Sequence, residues 1–168
     1  DLHKAIRRQR QMCIRDRHLQ KTMSEINQAH PDVCAVISVN KGLVTQASAA
    51  IPVVPLYFAI LYKVMKKAGN HENCIQQIAR LFTQKLYTPT GFQTDENGFI
   101  RMDDYELTPE IQEEVKKCWK AVTTDTVKEY CDIDGYWEDF YHMFGFRYED
   151  IDYTQDVDAY IEIDGVVM

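Results

Sequence analysis

The run VCAVISV, Val33 to Val39, narrows the possible folds more than any other stretch of the chain. A continuous apolar run of this length does not alternate, so it has both faces buried; a strand with one face in water would alternate apolar and polar residues. It arrives from a helical pattern and leaves into another. It therefore reads as a parallel strand covered on both sides, half of an α/β layer arrangement.

The exit from that strand is unusual. VNKGLVTQASAAIPVVPLY, Val39 to Tyr57, passes through Lys-Gly, spends a few residues on Thr, Gln and Ser, then places Pro52 and Pro55 at an apolar helix entrance. In doubly wound sheets, ligands lie outside the carboxyl ends of the strands. Backbone N–H groups from Lys41 to Thr45, the Thr45 hydroxyl and the next helix N-terminus stand where they can meet a carboxamide or a phosphate. The plainer reading is a loop that only caps its helix.

The rest of the chain fills in around this unit. HLQKTMSEINQAH places Leu19, Met23 and Ile26 on one helical face, and Pro31 ends it. After the loop, YFAILYKVMKKAG predicts a helix ending at Gly69, with Lys63, Lys66 and Lys67 in its last turns. Asn70 is the expected cap of the next helix, with Ile75, Ile78, Leu81 and Phe82 as its buried face. TPTGFQTDENGFIRMDD carries Asn97-Gly98 and predicts a small hairpin. Thr108-Pro109 opens a further helix, with Ile111, Val115, Cys118, Trp119 and Val122 inward. Two short helices follow, with Trp137, Phe140 and Phe144 at helical spacing, and then an acidic tail from Ile151 to Met168. No repeat or second domain is visible.

Charge and cysteines bound the function. A formal net charge of −7 argues against nucleic-acid binding, which needs a basic face. Five cysteines without a C-x-x-C pair suggest a reduced, cytoplasmic setting, with neither disulfides nor zinc. The longest apolar run, Ala47 to Leu61, is interrupted by two prolines and Ser48 and is too short to span a membrane. DENGFI resembles the centre of a calcium loop, but Gln93 and Asp104 stand where that loop needs its outer carboxylates, so no metal site is expected. DIDG, Asp132 to Gly135, has its glycine at the wrong spacing. His71 with Glu72, and Glu138 with His142, read as surface groups for want of a partner nucleophile. G-x-G-x-x-G and P-loop patterns are absent from the sequence.

KGLVTQASAAIPVVPLY, YKVMKKAGNHENCIQQIARLF, IRMDDYELTPEIQEEV, DGYWEDFYHMFGF and IDYTQDV together closely resemble the C-terminal half of trans-2-enoyl-CoA reductases. That family includes the type V bacterial enoyl-ACP reductases. The resemblance runs from about His18 to about Val157, in order. It implies the C-terminal part of a Rossmann-like short-chain dehydrogenase fold, mostly helical here, with one or two parallel strands and a small hairpin. It also implies an NADH-dependent enzyme of fatty acid synthesis, monomeric when complete, that saturates the 2,3 double bond of an enoyl-CoA or enoyl-ACP thioester. Leu43, Val44 and Thr45 match the family's second cofactor-contacting segment. Ala47, Ser48, Ala49 and Ala50 would let the helix approach the cofactor, and the prolines would shape a helix bordering the acyl channel. On that helix Val54, Phe58 and Tyr62 share a face; Val54 and Tyr62 are expected to wall the acyl pocket, with Tyr136 approaching from the later helices.

The family's catalytic Tyr-x8-Lys pair should stand just before HLQKTMSEIN, yet no tyrosine precedes Tyr57. That place is taken by residues 1–17, which hold five of the chain's eight arginines. QRQMCIRDR resembles the translation of sequencing-adapter DNA, so residues 1–17 are expected to be non-native and residues 18–168 to be the C-terminal part of one reductase domain. Opening on Asp1, the chain is expected to lack its upstream part and to be inactive alone. Two rival readings remain. One is a non-catalytic helical interaction module derived from a reductase, against which VCAVISV counts as a strand without a readable partner. The other is a nucleic-acid or membrane binder that rests on residues 1–17 alone.

Overall fold

The computed structural model of the chain describes residues 2–156, with side chains from residue 14 onward. Asp1, the side chains before residue 14, and the tail from Val157, with most of the acidic segment, lie outside the described residues. The first helix, α1 (Leu2–Ala29), runs through the arginine-rich start and the periodic segment without a break. On it Leu19 and Ile26 are exposed and Met23 half-buried.

The strand predicted over Val33–Val39 is shorter than its apolar run. β1 covers only Ile37–Val39. Upstream, the Asn27 side chain brackets the Ala35 backbone, donating to its carbonyl at 2.9 Å and accepting from its N–H at 2.7 Å. Those backbone groups are therefore satisfied by a side chain rather than a neighbouring strand. β1 does have a strand partner, which the sequence did not disclose: β2 (Phe99–Arg101) lies parallel to it, with Ile37 opposite Phe99 and Val39 opposite Arg101. The hairpin expected around Asn97-Gly98 is not formed. The Asp95 carboxylate accepts from the N–H groups of Asn97 and Phe99, closing a tight turn that delivers β2 to β1. Burial of Ile100, which is fully inaccessible, favours that route.

Between the strands run α2 (Gln46–Ala49), α3 (Val54–Ala68), α4 (Cys74–Arg80) and a π-helical turn (Leu81–Leu86). α3 is the axis of the core. Ile60, Leu61, Tyr62 and Met65 are fully buried, so this helix is enclosed on all sides. Val53, between the two prolines, takes a left-handed φ of 75° just before the helix, and Gly69 ends it at φ 74°. α5 (Pro109–Ala121) packs Ile111 and Val115 against α3, and Trp119 is partly exposed. α6 (Val127–Tyr130) and α7 (Ile133–His142) close the other side through Cys131 and Tyr136, whereas Trp137 and Phe144 face outward.

α4 is turned opposite to its predicted orientation. Ile75, Ile78 and Phe82 are exposed, while Gln77 and Arg80 are buried. The cause is ionic. Arg80 donates to Glu72 at 2.6 Å and to the Met102 carbonyl at 2.9 Å, meets Asp104 at 3.0 Å, and lies over the Tyr105 ring. Those partners draw the charged side inward and leave the apolar side out. Asn73, not Asn70, caps the helix, in a reciprocal box with Gln76. Among the described residues no helix is long and apolar enough to cross a membrane.

Candidate functional site

A cavity of about 190 Å³ opens where the β1 exit loop meets α3, α4 and α7. Leu43 and Val44 line it from the loop, Tyr62 from α3, Asn73, Cys74 and Ile75 from the start of α4. Asp139, His142 and Met143 line it from α7 and its end, with Tyr148 beyond. A larger cavity, about 500 Å³, lies between the π turn and β2. Its cations are already paired, Arg80 and Lys85 with Asp104 and Arg101 with Asp95 and Asp103, so it is internally neutralised.

The loop is held on every side. Gly42 donates its N–H to Glu106 at 2.6 Å, and a Cβ at Gly42 would lie 2.6 Å from the Phe58 ring, so the residue must be glycine for this approach. The other Glu106 oxygen accepts from the Tyr57 hydroxyl at 2.7 Å; burial and that carboxylate push the Tyr57 phenol up to about 12. Lys41 is almost wholly buried, its ammonium 5.0 Å from the Tyr62 ring centre. Burial lowers its pKa against the opposing pull of Glu106, Asp139 and Glu72. Thr45 caps α2: its hydroxyl accepts from the Ser48 N–H while its own N–H donates to the Ser48 hydroxyl.

Tyr62 forms the wall and floor of the cavity. Its ring stacks on Phe58 and meets His71 edge-on at 4.4 Å. Its hydroxyl accepts from the Val44 N–H at 3.0 Å and faces Asp139; burial, then that carboxylate, hold the phenol well above its ordinary range. The result is an apolar chamber of Leu43, Val44, Ile75 and Met143 over a polar floor. Such a site suits a small flat or short-chain group whose one polar end can reach the floor.

Leu43, Val44 and Tyr62, named from sequence, therefore meet in one cavity. Thr45 is exposed at its cap, and Val54 and Tyr136 pack in and around the α3 core, away from the cavity lining. The surface placement expected for His71 and Glu72 is wrong. His71 has 12% of its side chain exposed and stands 3.7 Å from Asp139, and Glu72 at 13% is paired with Arg80. On α7 the pair that enters the cavity is Asp139 with His142, whereas Glu138 is exposed. The i, i+3 spacing of Asp139 and His142 was the available signal.

Comparison with known proteins gives concordant matches. A family model described as the trans-2-enoyl-CoA reductase catalytic region matches residues 1–87, and one described as the enoyl reductase FAD binding domain matches residues 94–157. An enoyl-[acyl-carrier-protein] reductase [NADH] of Flavobacterium psychrophilum is 45% identical over 152 residues, 89% of this chain and 38% of that protein. A trans-2-enoyl-CoA reductase [NADH] of Ruminiclostridium cellulolyticum is 48% identical over 79% of this chain and 33% of its own length. The crystal structure of Treponema denticola trans-2-enoyl-CoA reductase in complex with NAD superposes with a TM-score of 0.78 at 45% identity, covering 84% of this chain and 36% of that one. The chain thus spans about a third of the length of these relatives.

Proposed function

The chain belongs to the trans-2-enoyl-CoA reductase family, and on that premise we propose that it is the C-terminal part of an NADH-dependent reductase that saturates the 2,3 double bond of an enoyl-CoA or enoyl-ACP thioester. A short-chain dehydrogenase architecture, a cytoplasmic setting and a place in fatty acid synthesis belong to the same reading. So does the assignment of residues 18–168 to a single reductase domain. The observation that carries it is the meeting of Leu43 and Val44 with Tyr62 in one cavity at the carboxyl end of β1.

The residues present fit the nicotinamide end of such a cofactor. Leu43 and Val44 offer an apolar edge at the strand end, and the Thr45–Ser48 cap fixes the turn that follows. Gly42, Ala47, Ser48 and Ala49 keep side-chain bulk away from it. Bound there, NADH supplies the hydride for the β-carbon of the enoyl group. This chain's residues bind and orient. Val44 and Leu43 would set the face for the nicotinamide ring, Tyr62 would wall the acyl chain, and Val54 and Tyr136 would support that wall from the core. Met143 and Ile75 complete the apolar lining on the far side. The relatives' names and the NAD-bound neighbour favour a nicotinamide over the flavin in one family description. The alternative reading, an interaction module without catalysis, draws on the outward Ile75, Ile78 and Phe82 of α4 and its turn.

The test uses the complete reductase carrying this segment, assayed by NADH consumption with trans-2-enoyl thioesters of increasing length. Tyr62→Ala is expected to move the preference toward longer chains; an unchanged preference removes Tyr62 from the pocket. The isolated chain is expected to give no turnover, and turnover by it would overturn the division of labour.

A further inference from the structure

The Tyr62 hydroxyl has one proton and two neighbours. It accepts from the backbone N–H of Val44 at 3.0 Å, so its own proton is left for another acceptor, and Asp139 brings a carboxylate into the same cavity. From these contacts we infer that Asp139 is a positioning residue, acting through Tyr62 on the Val44 backbone to hold the Leu43–Thr45 segment in the place where a nicotinamide ring would rest. The inference rests on the reading under Proposed function.

The direction of the chain of bonds is fixed by its ends. A carboxylate can only accept and a backbone N–H can only donate, so the hydroxyl is committed to pass its proton toward Asp139 and its lone pair toward Val44. The surroundings keep it so. Tyr62 is fully buried, its ring stacked on Phe58. His71 stands 3.7 Å from Asp139 on the α4 side, and the Lys41 ammonium lies on the face of the Tyr62 ring. Asp139, on α7, is thereby coupled to a loop that leaves the sheet almost a hundred positions earlier in the chain. A purely structural tyrosine would need only its ring, already packed flat on Phe58 and edge-on to His71. The hydroxyl bond to the loop is the part that ring packing does not require.

The experiment has two arms. In the complete reductase, Tyr62→Phe keeps the ring but loses the bond, and Asp139→Ala loses the acceptor. Each is expected to raise the KM for NADH about tenfold, or about 1.4 kcal/mol, with the KM for the enoyl thioester changed less than about twofold. Asp139→Asn, whose amide oxygen can still accept, is expected to recover most of the loss, and the double variant to be no worse than either single one. Equal losses for both substrates, or additive effects, would overturn the inference. If the complete wild-type protein shows no NADH-dependent reduction, the functional reading fails instead. The positioning is then decided on the chain itself by NMR. Asp139→Ala should move the Val44 amide resonance upfield and speed its exchange, as Tyr62→Phe does; a Val44 amide indifferent to Asp139 sinks the proposal.

Discussion

Arg80→Met should be among the most damaging single changes in this chain. The methionine keeps most of the stem volume but removes every polar interaction of the guanidinium. Three partners lose it. Glu72, only 13% exposed, is left without its 2.6 Å donor, and the carbonyl of the fully buried Met102 loses its 2.9 Å bond. Asp104 retains Lys85 at 2.7 Å and suffers least. An orphaned buried acceptor costs about 1–3 kcal/mol, and breaking a buried ion pair from one side costs about 3–5 kcal/mol. Because Glu72 and Met102 share one donor, these overlap, and we expect a loss of about 3–5 kcal/mol. Arg80→Lys keeps a charge but not the fork that spans Glu72, Asp104 and Met102, and should lose about half as much. Urea unfolding followed by circular dichroism at neutral pH measures both. A loss under about 1 kcal/mol for Arg80→Met, the range of an exposed pair, would refute the claim that this arginine sets the orientation of α4.

Two further outcomes follow from the packing and the ion pairs. Gly42→Ala should lower stability by about 1–3 kcal/mol, because its Cβ would stand 2.6 Å from a Phe58 ring that is itself buried; a thermal midpoint unchanged from the parent would show that the loop can retreat. Acid should unfold the chain through Asp104 and Asp132. Burial alone would raise both carboxyls, but Arg80 and Lys85 outweigh it for Asp104, and Lys66 with the Gly135 N–H for Asp132, so both titrate below the ordinary value. A folded pKa below the unfolded one gives stability that is present above about pH 4 and lost as the pH falls through the folded values. Urea midpoints that stay level from neutral pH down to about pH 3 would contradict this.

How far the residues disclosed the structure depends on the range of the forces involved. α3 was legible because its signals are local: prolines at the entrance, Gly69 at the exit and apolar residues throughout. β2 was not, because Phe-Ile-Arg is three residues long and acquires its meaning only from β1, far earlier in the chain. The apolar period of α4 pointed the wrong way. Arg80 reaches Asp104 across 24 positions, and no periodicity encodes that bond. The same division holds at the site. Leu43, Val44 and Tyr62 could be named from one continuous stretch. Asp139 was harder to single out: its i, i+3 spacing to His142 marks a shared helix face, but its importance comes from a tyrosine hydroxyl on another helix.

The parallel pairing of β1 with β2 also bears on how the chain reaches its fold. Ile37 and Phe99 are brought side by side over an intervening stretch that contains the whole of α3 and α4. Closing a loop of that length costs about 4 kcal/mol of chain entropy, far more than two three-residue strands regain by themselves. The pairing must therefore wait until α3 has collected its neighbours and shortened the effective loop. The cavity, which opens at the strand end, is then among the last features to form. In a pulse-labelled refolding experiment, the amides of α3 would gain protection early and those of Val44 and Met102 late, so a nascent chain would carry its helices well before it carried a binding site.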